Sequence, residues 1–437
     1  MRHRRQARRG LAVIGLLCAS CLALPPAGES VTPAPEPGAA VERRPTTRHD
    51  LARSYIRFDE AFMRHPPGPD RIADVNRAFD RATLRFFSGD LRSVVHAVDE
   101  LTAELLADAG QKADDTAGVP AAAEASGSPT TTATTTGEAA LRAMVAGRVH
   151  AERGDGDDAD GLRIPWGIFQ ARLGLLEDDP AGSDSARFLI DRGVLVADLS
   201  DECRALSAGT NPYRRLPGER WRPIILDRAS VPCWVYAPAG VSDDVPRPLV
   251  IALHGAGGDE AMFMRAYGAG QIRRLADEHG FVVASPLTYP LMGNAACFDA
   301  LVDQLSADYA IDPGRIHILG HSMGGAAAGM LAAERAERLA SAALLCGGVG
   351  FRRDRPPCPT LIVAGEIDPI TPAAGLRAMH DRAVRAGLPV EYRPYDGYGH
   401  TLAVNAALPD TVRWLLGHRR GGHDVPARSE SGDRSSP

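Results

Sequence analysis

Ile316-His317-Ile318-Leu319-Gly320-His321-Ser322-Met323-Gly324 is the stretch whose reading decides the fold of this chain. A short apolar run enters a turn of small residues with a serine at its tip, and Gly324, Gly325 and Ala326 to Ala328 follow. The pattern predicts a strand, a sharp turn and a helix. Glycines flank the serine because the turn forces its backbone into a strained conformation and brings the helix close against the strand. Such a nucleophile elbow exposes the Ser322 hydroxyl and aims the amide of Met323 at an oxygen that gains negative charge. The bland alternative is an ordinary glycine-rich turn, and the surroundings of the motif argue against it.

Three further sites stand in the order that a serine so placed needs. Upstream, Pro248-Leu249-Val250-Ile251-Ala252-Leu253 is continuously apolar, as a strand buried on both faces is, and it ends in His254-Gly255-Ala256-Gly257-Gly258. Glycines there let backbone amides approach a reacting carbonyl. A phosphate loop is the competing reading, but no Lys-Ser or Lys-Thr follows, and the dinucleotide pattern lacks its third glycine. Downstream, Thr360-Leu361-Ile362-Val363-Ala364-Gly365 predicts another buried strand, with Glu366-Ile367-Asp368-Pro369 at its carboxyl end, where open α/β sheets place their sites. Asp368 is the expected acid, accepting the imidazole Nδ1 proton, and Glu366 is the second candidate.

A strand over Val390 to Tyr395 then leads into Asp396-Gly397-Tyr398-Gly399-His400. His400 is the expected general base, because it occupies a glycine-flanked loop after the last strand, in the chain order Ser, Asp, His. His321, His380 and His418 are read as ordinary surface residues. His254 is read as scaffold of the oxyanion loop, since it precedes the elbow and adjoins the glycines.

Together these motifs resemble the α/β-hydrolase superfamily, and within it the esterases of the polyhydroxybutyrate depolymerase-like and feruloyl esterase-like group. The resemblance covers about residues 219 to 420. It implies an α/β-hydrolase fold with a mostly parallel central sheet and a Ser322, Asp368, His400 triad. The oxyanion would be held by the amide of Met323 and one from the Ala256 region. The implied activity is cleavage of carboxylic esters through an acyl-enzyme, without a cofactor. Gly257, Met262, Phe263, Tyr267, Tyr289 and Tyr398 are candidate substrate contacts. A prolyl-oligopeptidase-type peptidase would use the same triad, and a non-catalytic envelope binding protein on a hydrolase scaffold is the alternative from another class.

Hydrophobic residues make up 44% and charged residues 24%, with a formal net charge of -6, as in a globular enzyme without a nucleic-acid footprint. Arginines are scattered and form no stripe beyond the first ten residues, so no nucleic-acid partner is expected. Lys112 is the only lysine, and it lies in a low-complexity stretch. That position argues against a Schiff base or a Ser-Lys dyad and leaves serine activated by histidine.

At the amino terminus, Arg2, Arg4, Arg5, Arg8 and Arg9 precede the apolar run Leu11 to Leu24. This predicts a secretory signal over 1–27, too short to span a bilayer, and so a periplasmic or extracellular protein. Lipidation at Cys21 and a twin-arginine route are the minority readings. Beyond the signal stand Cys203, Cys233, Cys297, Cys346 and Cys358; Cys346 is read as a small core hydrophobe. No metal signature is present, and the acidic run Asp155 to Asp160 lacks the alternation and closing glutamate of a calcium loop.

Before the hydrolase-like region, a Pro-rich tether is expected over 28–45 and an Ala/Thr/Ser-rich linker over 111–137. Between them, Ile72, Val75, Phe79, Leu84 and Phe87, then Leu91, Val94, Val98, Leu101 and Leu105, recur at helical spacing and predict a helical hairpin over 46–110 that is dispensable for chemistry. Residues 138–218 are open between helix and a small β unit, with Phe169 to Leu175 and Val194 to Asp198 as candidate strands. The short connection from Gly347 to Pro359 leaves no room for a large lid and predicts an open cleft suited to polymeric or bulky substrates. A disordered tail is expected over 421–437.

Overall fold

The computed structural model describes residues 45–113, 137–145, 161–177, 185–227 and 229–421. The expected signal, most of the tether and linker, the acidic run at 155–160 and the tail after 421 lie outside the described residues. Eight strands form one sheet: β1 (Gly218–Trp221), β2 (Cys233–Ala237), β3 (Arg247–Leu253), β4 (Val282–Pro286), β5 (Ile311–His321), β6 (Ser341–Leu345), β7 (Thr360–Gly365) and β8 (Val390–Tyr395). Their order is β1-β2-β4-β3-β5-β6-β7-β8. The strands from β3 to β8 pair in parallel, and β2 runs antiparallel to both of its neighbours. This is the expected α/β-hydrolase arrangement.

Each central strand feeds two cores. In β3, Leu249, Ile251 and Leu253 enter one cluster while Val250 and Ala252 enter the other, as the two-residue period of a strand requires. Helices α7 (Ala295–Asp308), α8 (Met323–Glu334) and α9 (Ala373–Arg385) cover the first face with Leu301, Leu305, Leu331, Leu376 and Met379. On the opposite face lie α6 (Tyr267–His279) and α10 (Leu402–Leu416), contributing Ile272, Val404, Leu408 and Val412. A sheet buried on both sides in this way accounts for the unbroken apolar runs in the sequence.

The amino-terminal region is a layer of α1 (Arg48–Arg64), α2 (Ile72–Leu84) and α3 (Leu91–Ala113). Sequence stripes predict α2 and α3 but miss α1. Its start carries a capping box, in which Asp50 N donates to Thr47 Oγ1 and Thr47 N donates to Asp50 Oδ2. Leu51, Phe58, Phe62, Val75, Phe79, Val94 and Val98 form its core together with Leu402 of α10. The layer therefore shares a core with the hydrolase unit.

Residues 161–177 and 185–215 contain no strand: α4 (Arg163–Gly174) and α5 (Arg192–Ser207) take both candidate β segments. Helix is the outcome because Leu195, Leu199, Cys203 and Leu206 bury one helical face, and Asp191 caps α5 by accepting from Val194 N. The boundary expected near residue 219 is crossed by buried polar contacts. The buried Arg172 guanidinium bonds Glu202 and Asp198 and donates to the Trp221 carbonyl on β1. Across the same boundary, the buried Glu260 carboxylate accepts from Ser185 Oγ and Ala186 N, so removing the residues before 219 would strip a buried acid of two of its donors.

Candidate active site

Ser322 sits between β5 and α8 at φ 55° and ψ -115°, a conformation costing on the order of 1–3 kcal/mol for a residue with a Cβ. The surroundings hold it there: Ser322 N donates to Leu345 O at 2.8 Å and Ala326 N donates to Ser322 O at 3.1 Å. Glycine is obligatory on both sides. A Cβ at Gly320 would lie 2.1 Å from Gly324 O, and one at Gly324 would lie 2.1 Å from Leu253 O. The helix can thus press onto the strand ends, and Met323 becomes the first helical residue, whose amide has no intrahelical acceptor.

His400 and Ser322 line the same cleft. His400 Nδ1 lies 2.8 Å from Asp368 Oδ2, while Asp368 Oδ1 accepts from Ile370 N and Thr371 N, each at 2.8 Å. Both residues are buried. Asp368 is therefore the carboxylate that meets the imidazole, whereas Glu366 is exposed. Ile367 N donates to Tyr398 O, tying the acid turn to the His400 loop.

His254 is fully buried and fastens the glycine loop. Thr288 N donates to its Nε2 at 3.0 Å, so Nδ1 carries the hydrogen and donates to Gly255 O at 2.8 Å. Burial pushes its pKa down to about 4, against the opposing effect of the Gly255 bond. Within the loop, Gly257 N donates to Tyr289 Oη at 3.1 Å and Gly258 N donates to Gly255 O at 3.2 Å.

His321 is not the surface residue expected from its variable position in the elbow. It is buried, its Nδ1 lies 2.8 Å from Tyr267 Oη, and its Nε2 lies 3.1 Å from His400 O. Burial, followed by the charge of His400, holds its pKa well below the ordinary value. The neutral ring then donates from Nε2 to the His400 carbonyl and accepts from the tyrosine.

Of the expected substrate contacts, Gly257, Met262 and Tyr267 line the cleft with Gly255, Ala256 and Gly258. Phe263, Tyr289 and Tyr398 do not. Phe263 is fully buried and packs edge-on to Tyr267 at 4.7 Å, because the turn Met262–Ala266 directs it into the sheet core. Tyr289 spends its hydroxyl on the Gly257 amide. Tyr398 packs against the amino-terminal core.

The opposite wall comes from residues that sequence reasoning missed: Leu51 and Tyr55 of α1, Thr83 of α2, and Phe86 and Phe87 of the turn after it. Phe86 lies so close to the glycine loop that a Cβ at Gly257 would be 2.4 Å from its ring. The cleft, about 70 Å³ of space that water-sized groups can occupy, is accordingly narrow and walled on both sides. The lid-like element is supplied by the amino-terminal layer rather than by an insertion after β6. A signal for it exists in the sequence: Asn76 and Asp80 stand among the apolar positions of the α2 stripe, where polar side chains need buried partners.

With this geometry the sheet order and elbow define an α/β-hydrolase fold. No protein-family model matches the chain. It is similar to "Putative esterase NocK" of Nocardia uniformis subsp. tsuyamanensis, with 32% identity over 149 residues that cover 30% of this chain and 42% of that protein. The matched part is under half of that relative's length. Among solved structures, it resembles a thermostable esterase at 21% identity and a TM-score of 0.39, covering 46% of this chain and 63% of that one. It also resembles the fluorophosphonate-binding serine hydrolase FphF of Staphylococcus aureus, at 18% identity and a TM-score of 0.40, covering 46% of this chain and 99% of that one.

Proposed function

We propose that this protein is an exported serine hydrolase that cleaves carboxylic esters with small acyl groups, using Ser322, His400 and Asp368. The observation that carries the reading is the bond from His400 Nδ1 to Asp368 Oδ2 beside a strained serine in the same cleft. Asp368 fixes the imidazole with its hydrogen on Nδ1, leaving Nε2 as the basic nitrogen of a residue that lines the cleft. Ser322 Oγ attacks the ester carbonyl carbon while His400 takes its proton. The tetrahedral oxyanion is held by the amides of Met323 and Ala256, since those of Gly257 and Gly258 are already engaged. Collapse breaks the carbon–oxygen bond to the alcohol, which leaves with the proton from His400. Water, deprotonated by the same imidazole, then releases the acid and regenerates Ser322.

The apolar wall of Leu51, Tyr55, Phe86 and Phe87 favours a short acyl chain over a long polymer. Export rests on the arginine-rich start and the apolar run Leu11 to Leu24. No helix among the described residues is long and apolar enough to cross a membrane. The test is hydrolysis of p-nitrophenyl acetate and butyrate by the wild type and by Ser322→Ala. Loss of turnover by several orders of magnitude is expected; an active Ser322→Ala enzyme would sink the assignment.

A further inference from the structure

We propose that Asp80 of α2 is a positioning residue for His400, so that the amino-terminal helical layer is part of the reacting site; this role rests on the triad reading above. Asp80 is 1% exposed, and its Oδ2 accepts from His400 N at 2.8 Å. Its Oδ1 lies 3.5 Å from Thr401 N. One turn earlier, Asn76 Oδ1 accepts from Gly399 N at 2.8 Å. Three consecutive amides of the histidine loop thus point at one face of α2.

Gly399 shows that the loop is shaped around this carboxylate. A Cβ there would lie 2.0 Å from Asp80 Oδ2, 2.9 Å from Cγ and 3.4 Å from Oδ1, and these are its three nearest atoms. Nothing else would crowd it. Glycine is needed at 399 because Asp80 is present, and not for backbone conformation. Burial raises the Asp80 pKa, and the His400 amide bond and the charge of His400 offset part of that rise. With Asp80 on the His400 amide, His321 on its carbonyl and Asp368 on its ring, the residue is held from three elements. The imidazole is then placed before substrate arrives, which is where a small displacement costs rate.

The experiment uses the full chain with Asp80→Ala, Asp80→Asn, Gly399→Ala and the combined Asp80→Ala/Gly399→Ala, measuring kcat and KM for p-nitrophenyl acetate and the melting temperature of each. Asp80→Ala is expected to lower kcat about 10- to 100-fold with KM changed less than about 2-fold, as for loss of a buried hydrogen bond that leaves its donor unpaired. Asp80→Asn keeps an oxygen for the His400 amide and should recover most of that loss. Gly399→Ala should be comparably damaging alone yet add nothing to Asp80→Ala, because the atoms it collides with are gone. Losses confined to KM, unchanged kcat below the melting temperature, or additive losses in the combined variant would overturn the role. Should Asp80→Ala fail to fold, Gly399→Ala decides: full kcat in that variant refutes the role. A wild-type enzyme without turnover refutes the triad reading and this role together, whereas normal turnover with an indifferent Asp80→Ala refutes the role alone.

Discussion

A chain shortened to begin at Trp221 should neither fold cooperatively nor hydrolyse a small ester, the reverse of what the sequence alone leads one to expect. The shortening removes Asp59, Asn76 and Asp80, and with them the acceptors for Asn405 Nδ2 at 2.6 Å, Gly399 N at 2.8 Å and His400 N at 2.8 Å. A buried donor left without a partner costs about 1–3 kcal/mol. Leu402, 1% exposed against α1 to α3, would return to water at about 2 kcal/mol. Glu260, fully buried, would lose Ser185 Oγ and Ala186 N and keep only Trp221 Nε1. The total is at least about 5 kcal/mol even where water replaces some partners, comparable with the whole stability of a typical domain. Circular dichroism, a thermal melt and p-nitrophenyl acetate turnover of the shortened chain are the assay. A cooperative melt with turnover within about threefold of the full chain would refute the account of a shared core.

Asp368→Asn should lower kcat on the order of 10³- to 10⁴-fold while the fold persists, since the amide favours the wrong imidazole tautomer, and Glu366→Gln should change it less than about twofold; the reverse ranking in steady-state kinetics would contradict the geometry. Asp59 gives a pH dependence of stability. Burial raises its pKa to about 7, against the Asn405 and Gly268 bonds, so the folded state holds a proton that the unfolded chain has released above about pH 4. Its stabilising contribution is full below that unfolded value and is lost as pH rises through about 7. Melting temperatures at pH 5 and pH 8 should differ more for the wild type than for Asp59→Asn, and an equal difference would remove Asp59 as the cause.

The elbow and the strands β3, β5 and β7 are legible in the sequence because each strand is buried on both faces and so writes a continuous apolar run, and because Gly320 and Gly324 sit where no side chain fits. Asp368 stands out for its place at a strand end. Helix α1 is not legible because its buried face mixes Ser54 and Asp59 with Leu51, Phe58 and Phe62. Those polar side chains are satisfied by groups distant in the chain: Ser54 by Asp99, and Asp59 by Asn405. Asp80 is hidden for the same reason, since its partner amide is 320 residues away. The role of His321 depends on Tyr267 and the His400 carbonyl, which local spacing does not bring together. Phe263 and Tyr398 read as substrate contacts until the turns that carry them are seen to direct them into cores.

Covalent labelling with a fluorophosphonate, followed by peptide mass spectrometry, reads the activated serine without presuming the natural ester. One modified residue is expected, Ser322, with labelling lost in Ser322→Ala and strongly slowed in Asp368→Asn. Modification of another serine, such as the buried Ser285 at the end of β4, or the absence of any label on the folded protein, would contradict it.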